Sequence, residues 1–138
     1  MTRGHLARIG LLTVALLLTA CTLGTNEAKE GVEEFRARVA QRSFGEIYQS
    51  SAPEFRQAST EEQFVNFMTA LDGKLGPWQS GADAGWNVMR GVGGHSVRLR
   101  YDSRFAKGTA VEDFAWRIER GRPVLLGYHV QSPLLARE

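Results

Sequence analysis

The sequence predicts an α+β domain in which amino-terminal helices pack on a curved antiparallel β-meander. Apolar residues recur with a helical period before Pro77 and with a period of two after it. Short glycine-containing turns separate the alternating segments, as in a meander with one buried and one solvated face. Residues 27–133 form this single predicted domain, and residues 134–138 form a predicted carboxy-terminal tail.

Residues 1–20 have the order of a secretory signal peptide. Arg3 and Arg8 give a positive start, and the apolar run Ile9–Leu18 follows. This run is shorter than the about 20 apolar residues that a membrane-spanning helix needs. Residues 1–20 are therefore predicted to be removed from the mature protein.

The segment at residues 18–21, LTAC, resembles the bacterial lipobox, in which Leu, a small residue and Gly or Ala precede a cysteine. The resemblance implies cleavage after Ala20, with diacylglycerol on the Cys21 sulfur and an acyl chain on its new amino group. Two or more such chains give stable membrane anchoring. For a Gram-negative bacterium, the resemblance together with Thr22 implies the outer membrane, with the domain facing the periplasm. Residues 21–26 form the predicted lipidated cysteine and tether.

Removal of Arg3 and Arg8 would balance the charge of the chain, because the whole sequence has 17 Lys and Arg against 15 Asp and Glu. Nucleic-acid binding needs a concentrated positive footprint. The arginines of the second half are instead spread along alternate strand positions, so a nucleic-acid partner is not expected. A solvated sheet face is the favoured interpretation, and contact with anionic lipid or cell-wall polymer is the alternative.

The first half contains four predicted helices. The first is capped by Asn26 and ends near Gln41, and its apolar stripe consists of Ala28, Val32, Phe35 and Val39. A short helix around Ile47 and a brief one that begins at Pro53 follow.

A capping box is predicted at Ser59 and Glu62 for the last helix, which ends at Gly76-Pro77. The predicted buried face of this helix consists of Phe64, Phe67, Met68, Leu71 and Leu75.

The second half contains the predicted meander. Residues 78–90 are predicted to be irregular, with Trp86 and Val88 indicating a strand, and residues 91–94 to be a turn. Three alternating strands follow. Their predicted inward residues are Val97, Leu99, Tyr101 and Phe105, then Phe114, Trp116 and Ile118, and finally Val124, Leu126, Tyr128 and Val130.

Several stretches are similar to uncharacterised bacterial lipoprotein domains of the nuclear-transport-factor-2-like (cystatin-like) superfamily. These are IYQSSAPEFRQASTEEQF, LGPW, RYDSRFAKGTAVEDFAWRI and PVLLGYHVQSP, which cover most of residues 43–133. The resemblance implies a cone-shaped fold. It implies no particular activity, because such domains include enzymes, binding proteins and assembly components.

Two kinds of chemistry find no support in the sequence. Cys21 is assigned to lipid, and no serine lies in a Gly-x-Ser-x-Gly nucleophile elbow. His95 and His129 lack the spacing of metal ligands, so neither a metal nor any cofactor beyond the covalent lipid is predicted.

Acid–base catalysis inside the cone is the remaining enzymatic alternative. Alternate positions of a strand face opposite sides of the sheet, which we call inward parity where they face the helices and outward parity where they face solvent. Asp102 and His129 have outward parity, whereas Glu112, Tyr101 and Tyr128 have inward parity. A carboxylate beside a phenol is able to transfer a proton. A structural hydrogen bond between such groups is the favoured interpretation, so no catalytic residue is assigned.

The candidate pocket consists of Tyr101, Glu112, Phe114, Trp116 and Tyr128. Because close packing is the norm in domains of this size, we expect the interior to be largely filled. The favoured function is therefore a membrane-anchored, non-catalytic module that interacts with an envelope protein. Binding of a small apolar ligand in an open cavity is the first alternative, and an isomerase-like or dehydratase-like activity is the second.

The lipobox makes a direct prediction about maturation. Cys21→Ser should leave an unprocessed precursor, because the residue that carries the lipid and defines the cleavage site is lost. Electrophoretic mobility and partitioning into a detergent phase measure the two effects. Normal maturation of the variant together with detergent-phase partitioning would contradict anchoring through Cys21.

Overall fold

The computed structural model describes residues 23–91 and 94–136. The helices are α1 (Leu23–Ala40), α2 (Phe44–Ser50), α3 (Pro53–Ala58) and α4 (Glu61–Leu75). The strands are β1 (Trp78–Gly91), β2 (Gly94–Phe105), β3 (Gly108–Glu119) and β4 (Arg122–Gln131), and they form one antiparallel sheet in the order β1-β2-β3-β4. The predicted α+β class, with helices packed on an antiparallel meander, is confirmed.

Helix α1 packs across β2, β3 and β4 through the predicted apolar stripe. Ala28, Val32 and Phe35 are each less than 5% exposed. The Phe35 ring meets the edge of Phe114, the fully buried centre of β3, with 5.1 Å between ring centroids. Burial of this stripe drives the docking of α1, because apolar area removed from water contributes about 25 cal/mol per Å².

The start of α1 differs from its prediction. The helix begins at Leu23, so Leu23–Asn26 are helical and do not form an extended tether, and Asn26 is not its cap. The proposed signal peptide, Ala20 and Cys21 lie outside the described residues.

The capping box of α4 is one residue later than predicted. The Thr60 hydroxyl accepts from the Gln63 amide, and the Gln63 side chain accepts from the Thr60 amide, so Ser59 and Glu62 do not form the box. Phe67, assigned to the buried face, is 44% exposed because it lies at the margin of the apolar stripe. The predicted end at Gly76 is confirmed, with a φ of 74° and an amide that donates to the Asp72 carbonyl.

The alternation predicted for β2 and β3 is confirmed. Val97, Leu99, Phe114 and Trp116 are buried on the helix-facing side. Asp102 and His129 are exposed, and Arg100 pairs with Asp113 on the solvated side with an Nε to Oδ1 distance of 2.8 Å.

Strands β1 and β4 depart from the prediction. Residues 78–91 are one continuous strand, although the sequence predicts an irregular segment there. A register shift between β3 and β4 pairs Ala115 with Gly127 but Trp116 with Leu125. This bulge buries Leu125 in place of the predicted Val124 and Leu126, because an extra residue reverses the parity beyond it. Tyr128 and Val130, on the other side of the bulge, keep the predicted inward parity.

Two further segments pack against the sheet and the core: the connection between α2 and α3, and the turn that follows β4. The Ala52 amide donates to the Leu125 carbonyl, so the connection between α2 and α3 covers the edge of β4. Leu134 and Leu135, assigned to a tail, pack against the core.

The close approach of α1 to the sheet predicts opposite effects for two helical glycines. A Cβ at Gly31 would lie 2.9 Å from the Pro123 Cβ and 3.0 Å from the Trp116 ring, whereas nothing lies within 4 Å of one at Gly73. We expect Gly31→Ala to lower the free energy of unfolding by about 1–3 kcal/mol through overpacking. Gly73→Ala should raise it by up to about 1 kcal/mol, because alanine loses less backbone entropy in a helix. Urea denaturation measures both, and equal effects would contradict the packing of α1 on Trp116.

Candidate functional site

A cavity of about 310 Å³ lies between the second half of α1, the end of α4 and the end of the sheet where β1 begins. Most of its wall is apolar, and its polar groups come from α1 and the turn after it, from α4, and from β3 and β4. The apolar wall includes Phe35, Val39, Met68, Leu71, Trp78 and Phe105. The charged or polar side chains in the wall are Arg36, Arg42, Asp72, Glu112 and Tyr128.

Glu112 supplies a buried carboxylate to this cavity and is 1% exposed. Its Oε1 accepts from the Ser103 hydroxyl at 2.5 Å and from the Arg36 Nη2 at 3.1 Å. Its Oε2 accepts from the Tyr128 hydroxyl at 2.6 Å. In the sheet register, Glu112 on β3 is opposite Tyr101 on β2 and opposite Val130 on β4. Three donors therefore compensate the loss of hydration that burial of this carboxylate entails.

Arg36 is the counter-ion of Glu112 and is held by aromatic rings. Its side chain is 9% exposed. The guanidinium carbon lies 4.1 Å from the centroid of the Trp78 ring and 5.6 Å from that of Tyr101. A cation over an aromatic face is attracted by the ring quadrupole. These rings and the Glu112 carboxylate together fix the guanidinium at the wall of the cavity.

Tyr128 is held as a hydrogen-bond donor. Burial raises the pKa of the Tyr128 phenol well above its ordinary value, and the neighbouring Glu112 carboxylate raises it further. The phenol therefore stays protonated and donates to Glu112. Its ring packs against Phe35 and Phe114, with centroid distances of 4.8 Å and 5.0 Å. Burial also raises the pKa of the half-buried Tyr101.

An ion pair between the connection after α1 and helix α4 contributes to the wall of the same cavity. The Arg42 Nη1 lies 2.6 Å from the Asp72 Oδ2, which joins the turn that follows α1 to α4. The Arg42 side chain is more exposed than that of Asp72, so this pair contributes a solvated, charged part of the wall beside apolar Leu71.

The structure brings together part of the pocket that the sequence predicts. Glu112 and Tyr128 line the cavity, and Tyr101 lies behind Arg36. Phe114 is fully buried beneath the cavity. Trp116 lines a separate groove with Gly31 and Pro123.

The sequence does not assign Arg36, Ser103 or Trp78 to the site, nor the Arg42–Asp72 ion pair. A signal for Arg36 was present, because a glutamate of inward parity needs a buried donor and Arg36 adjoins the apolar stripe of α1. Ser103 faces inward on β2, as Tyr101 does, so the same argument identifies it as a second possible donor to Glu112. Trp78 carried no such signal, since it lies in the segment predicted to be irregular.

Within residues 23–91 and 94–136, no group of three or more His, Cys, Asp or Glu side chains is arranged to hold a metal ion. Among the same residues, no helix is long and apolar enough to cross a membrane. The chain matches no protein-family model, and a search of curated proteins gives no significant match.

The buried ion pair makes a prediction about stability. Arg36→Met should lower the free energy of unfolding by about 3–5 kcal/mol, because it leaves the Glu112 carboxylate buried without its counter-ion. Adding Glu112→Gln to Arg36→Met should recover part of this loss, since the uncompensated charge is then removed. Urea denaturation near neutral pH measures the three free energies.

The control is Arg100→Met, whose ion pair with Asp113 lies in solvent. This variant should change the stability far less than Arg36→Met. Equal losses for the two arginine variants would show that the Arg36 pair contributes no more than a surface contact.

Proposed function

We propose that this protein is a lipid-anchored protein of the bacterial cell envelope whose domain binds a small, mainly apolar molecule in the cavity between α1, α4 and the sheet. The observation that carries the proposal is the cavity itself, which combines an apolar wall with one buried polar cluster. Its volume of about 310 Å³ lies at the lower end of the range of about 300–1,000 Å³ found for ligand pockets.

The polar cluster suggests one hydrogen-bonding group on the ligand. Each carboxylate oxygen is able to accept two hydrogen bonds. Glu112 Oε1 already has two donors, whereas Oε2 has one donor among the described residues, the Tyr128 hydroxyl. An apolar molecule with a single hydroxyl or amine group fits this arrangement, with the polar group at Oε2 and the hydrocarbon against Met68, Leu71 and Phe105.

The same contacts favour binding over acid–base catalysis. Three donors occupy three of the four acceptor sites of Glu112, and Tyr128 is held in its protonated form. Little of the carboxylate is free to take a proton from a substrate. Asp102 and His129 are exposed and contribute nothing to the cavity wall.

The cavity also affects the choice between the two non-enzymatic functions. The sequence favours an interaction module because it predicts a filled interior. The interior is filled around Phe114, Leu99 and Val97, each at most 1% exposed. At the end of the sheet beside Trp78, by contrast, space remains. This space gives ligand binding the stronger support.

The anchor and the narrower fold assignment belong to the same proposal. The anchor is supported by the order of basic start, apolar run and LTAC at residues 18–21. The cystatin-like, cone-shaped fold is supported by the order of the elements, with four helices before a four-stranded meander and a cavity between helix and sheet.

A cavity-filling variant tests the proposal. Val39 lines the cavity, whereas Val65 on α4 is half-buried elsewhere. The acylated full chain is purified from envelope membranes, and its bound small molecules are extracted and measured by mass spectrometry. Val39→Phe should reduce the specifically bound molecule at least about tenfold, because a loss of 1.4 kcal/mol corresponds to displacement of about two buried methylenes.

The matched control is Val65→Phe, which adds the same side chain outside the cavity and should leave the amount of bound molecule unchanged. Because both variants carry the same anchor, the amount of membrane lipid that co-purifies with each of them is the same. Equal amounts of every extracted molecule from Val39→Phe, Val65→Phe and the natural chain would refute ligand binding in this cavity.

A further inference from the structure

The first described residues of the chain lie at the end of the domain opposite the cavity. A Cβ at Gly24 would lie 3.6 Å from the Val97 Cγ2 and 3.9 Å from the Ile118 Cγ1. Val97 is near the start of β2 and Ile118 is near the end of β3. The start of α1 therefore lies over the end of the sheet where β1 leads to β2 and β3 leads to β4. We call this the amino-terminal end of the domain.

Two large apolar side chains are exposed near this end, on β1. Trp86 is 61% exposed and Met89 is 54% exposed. Trp86 pairs with the inward residue Leu99, and Met89 pairs with Ser96, so the two side chains lie on opposite faces of the β1–β2 hairpin. The hairpin thus presents apolar groups on both faces beyond the area that α1 covers. Tryptophan in this situation is characteristic of a membrane–water interface.

Four arginines surround the same end. Arg90 is near the end of β1, Arg98 is on β2, and Arg120 and Arg122 flank the turn between β3 and β4. Within the part of the chain that the structure describes, none of the four has a carboxylate within 4.0 Å. Arg117, on the outer face near this end, is by contrast paired with Glu54 and Glu119.

The nearest acidic side chains of α1 lie further from this end. Glu27 and Glu30 follow Leu23 by four and seven residues, so they lie about 6 Å and 10 Å along the helix axis from its start at 1.5 Å per residue. Residues 1–22 contain no Asp or Glu. Glu119, at the end of β3, is an acidic side chain of this end, and it is paired with Arg117. Because Arg90, Arg98, Arg120 and Arg122 outnumber it, the net charge of the amino-terminal end is positive.

We propose that the amino-terminal end docks on the anionic surface of the bilayer that holds the lipid anchor. Trp86 and Met89 lie at the level of the headgroups, and Arg90, Arg98 and Arg120 contact lipid phosphates together with Arg122. This inference rests on the proposed acylation of Cys21. Leu23 is the second residue after Cys21, which limits the distance between them to about 7 Å at up to 3.6 Å per residue. A lipid on Cys21 thus brings this end, and no other, against the membrane.

The docking has a consequence for the proposed ligand site. Trp78, Gly76 and Arg42 line the cavity at the end of the sheet opposite Gly24. With the amino-terminal end on the bilayer, the cavity faces away from the membrane. Its ligand then enters from the aqueous side, and the bound molecule is one that crosses the water phase.

Spin labels on the acylated full chain in lipid vesicles test this orientation. The Cys21 thiol is blocked by lipid, so a nitroxide reacts with one introduced cysteine, either Met89→Cys or the control Arg104→Cys, which is exposed near the other end of β2. Vesicles contain either phosphatidylcholine with phosphatidylglycerol or phosphatidylcholine alone. Electron paramagnetic resonance compares the collision of each label with oxygen, which is enriched in lipid, and with a water-soluble nickel complex.

In vesicles with phosphatidylglycerol, the label at Met89 should show a several-fold higher oxygen-to-nickel ratio than the label at Arg104. The ratio at Met89 should fall toward that at Arg104 in phosphatidylcholine alone. It should fall in the same way when Arg90, Arg98, Arg120 and Arg122 are all changed to Gln. If the ratio at Met89 stays high in phosphatidylcholine alone or in the fourfold arginine variant, the proposal that these arginines bind anionic lipid is wrong.

Two other results distinguish failure of the docking from failure of the anchor. An acylated chain with both labels in water, or with only the Arg104 label in lipid, overturns the docking and leaves the anchor intact. A mass spectrum that shows an unmodified Cys21 refutes the anchor, and the docking with it. The circular dichroism of each variant shows that its fold is retained.

Discussion

The ion pair between Arg36 and Glu112 is the constraint on which the rest of the structure depends, because it joins α1 to the middle of the sheet inside the core. A carboxylate that is 1% exposed is tolerated only where its lost hydration is replaced, and Arg36, Ser103 and Tyr128 supply three hydrogen bonds. The donors come from α1, β2 and β4. The network can therefore form only when α1 crosses the sheet at one position, which apolar packing alone would not specify.

That position of α1 also explains why the two ends of the domain differ. Near Gly24 and Gly31, α1 approaches the sheet so closely that added Cβ atoms would contact or overlap its side chains. Near Arg36 and Val39, aromatic and charged side chains lie between the helix and the sheet, and α4 completes the wall of a cavity. The amino-terminal end is thus closed and positive, whereas the other end is open and largely apolar.

The sequence predicted the parts of the fold that follow from local periodicity. The alternation of β2 and β3 and the stripe of α1 are each set by residues within one element, so their buried positions could be derived from spacing. The burial of Leu125 could not, because the bulge that reverses which residues of β4 face inward is a feature of its pairing with β3, and the hydrogen bond to the Leu125 carbonyl comes from Ala52 in a distant part of the sequence. Strand β1 was predicted only around Trp86 and Val88, and its full length was missed for a related reason: its sequence lacks a buried face, and its pairing with β2 makes it a strand.

The candidate site shows the same division between local and tertiary information. Parity placed Glu112 and Tyr128 on one face of neighbouring strands, and their hydrogen bond follows directly. The counter-ion lies 76 residues away in the sequence, and its identity depends on how α1 crosses the sheet. One physical rule nevertheless links the two levels, since an inward glutamate in an apolar strand requires a donor from the layer that covers it. In a helix whose stripe includes Val32, Phe35 and Val39, two arginines border that stripe over its second half. Arg36 lies on the side that meets Glu112, whereas Arg38 on the other side pairs with Glu34. The inward position of Glu112 on its strand therefore requires that the face of α1 that covers the strand carries a donor.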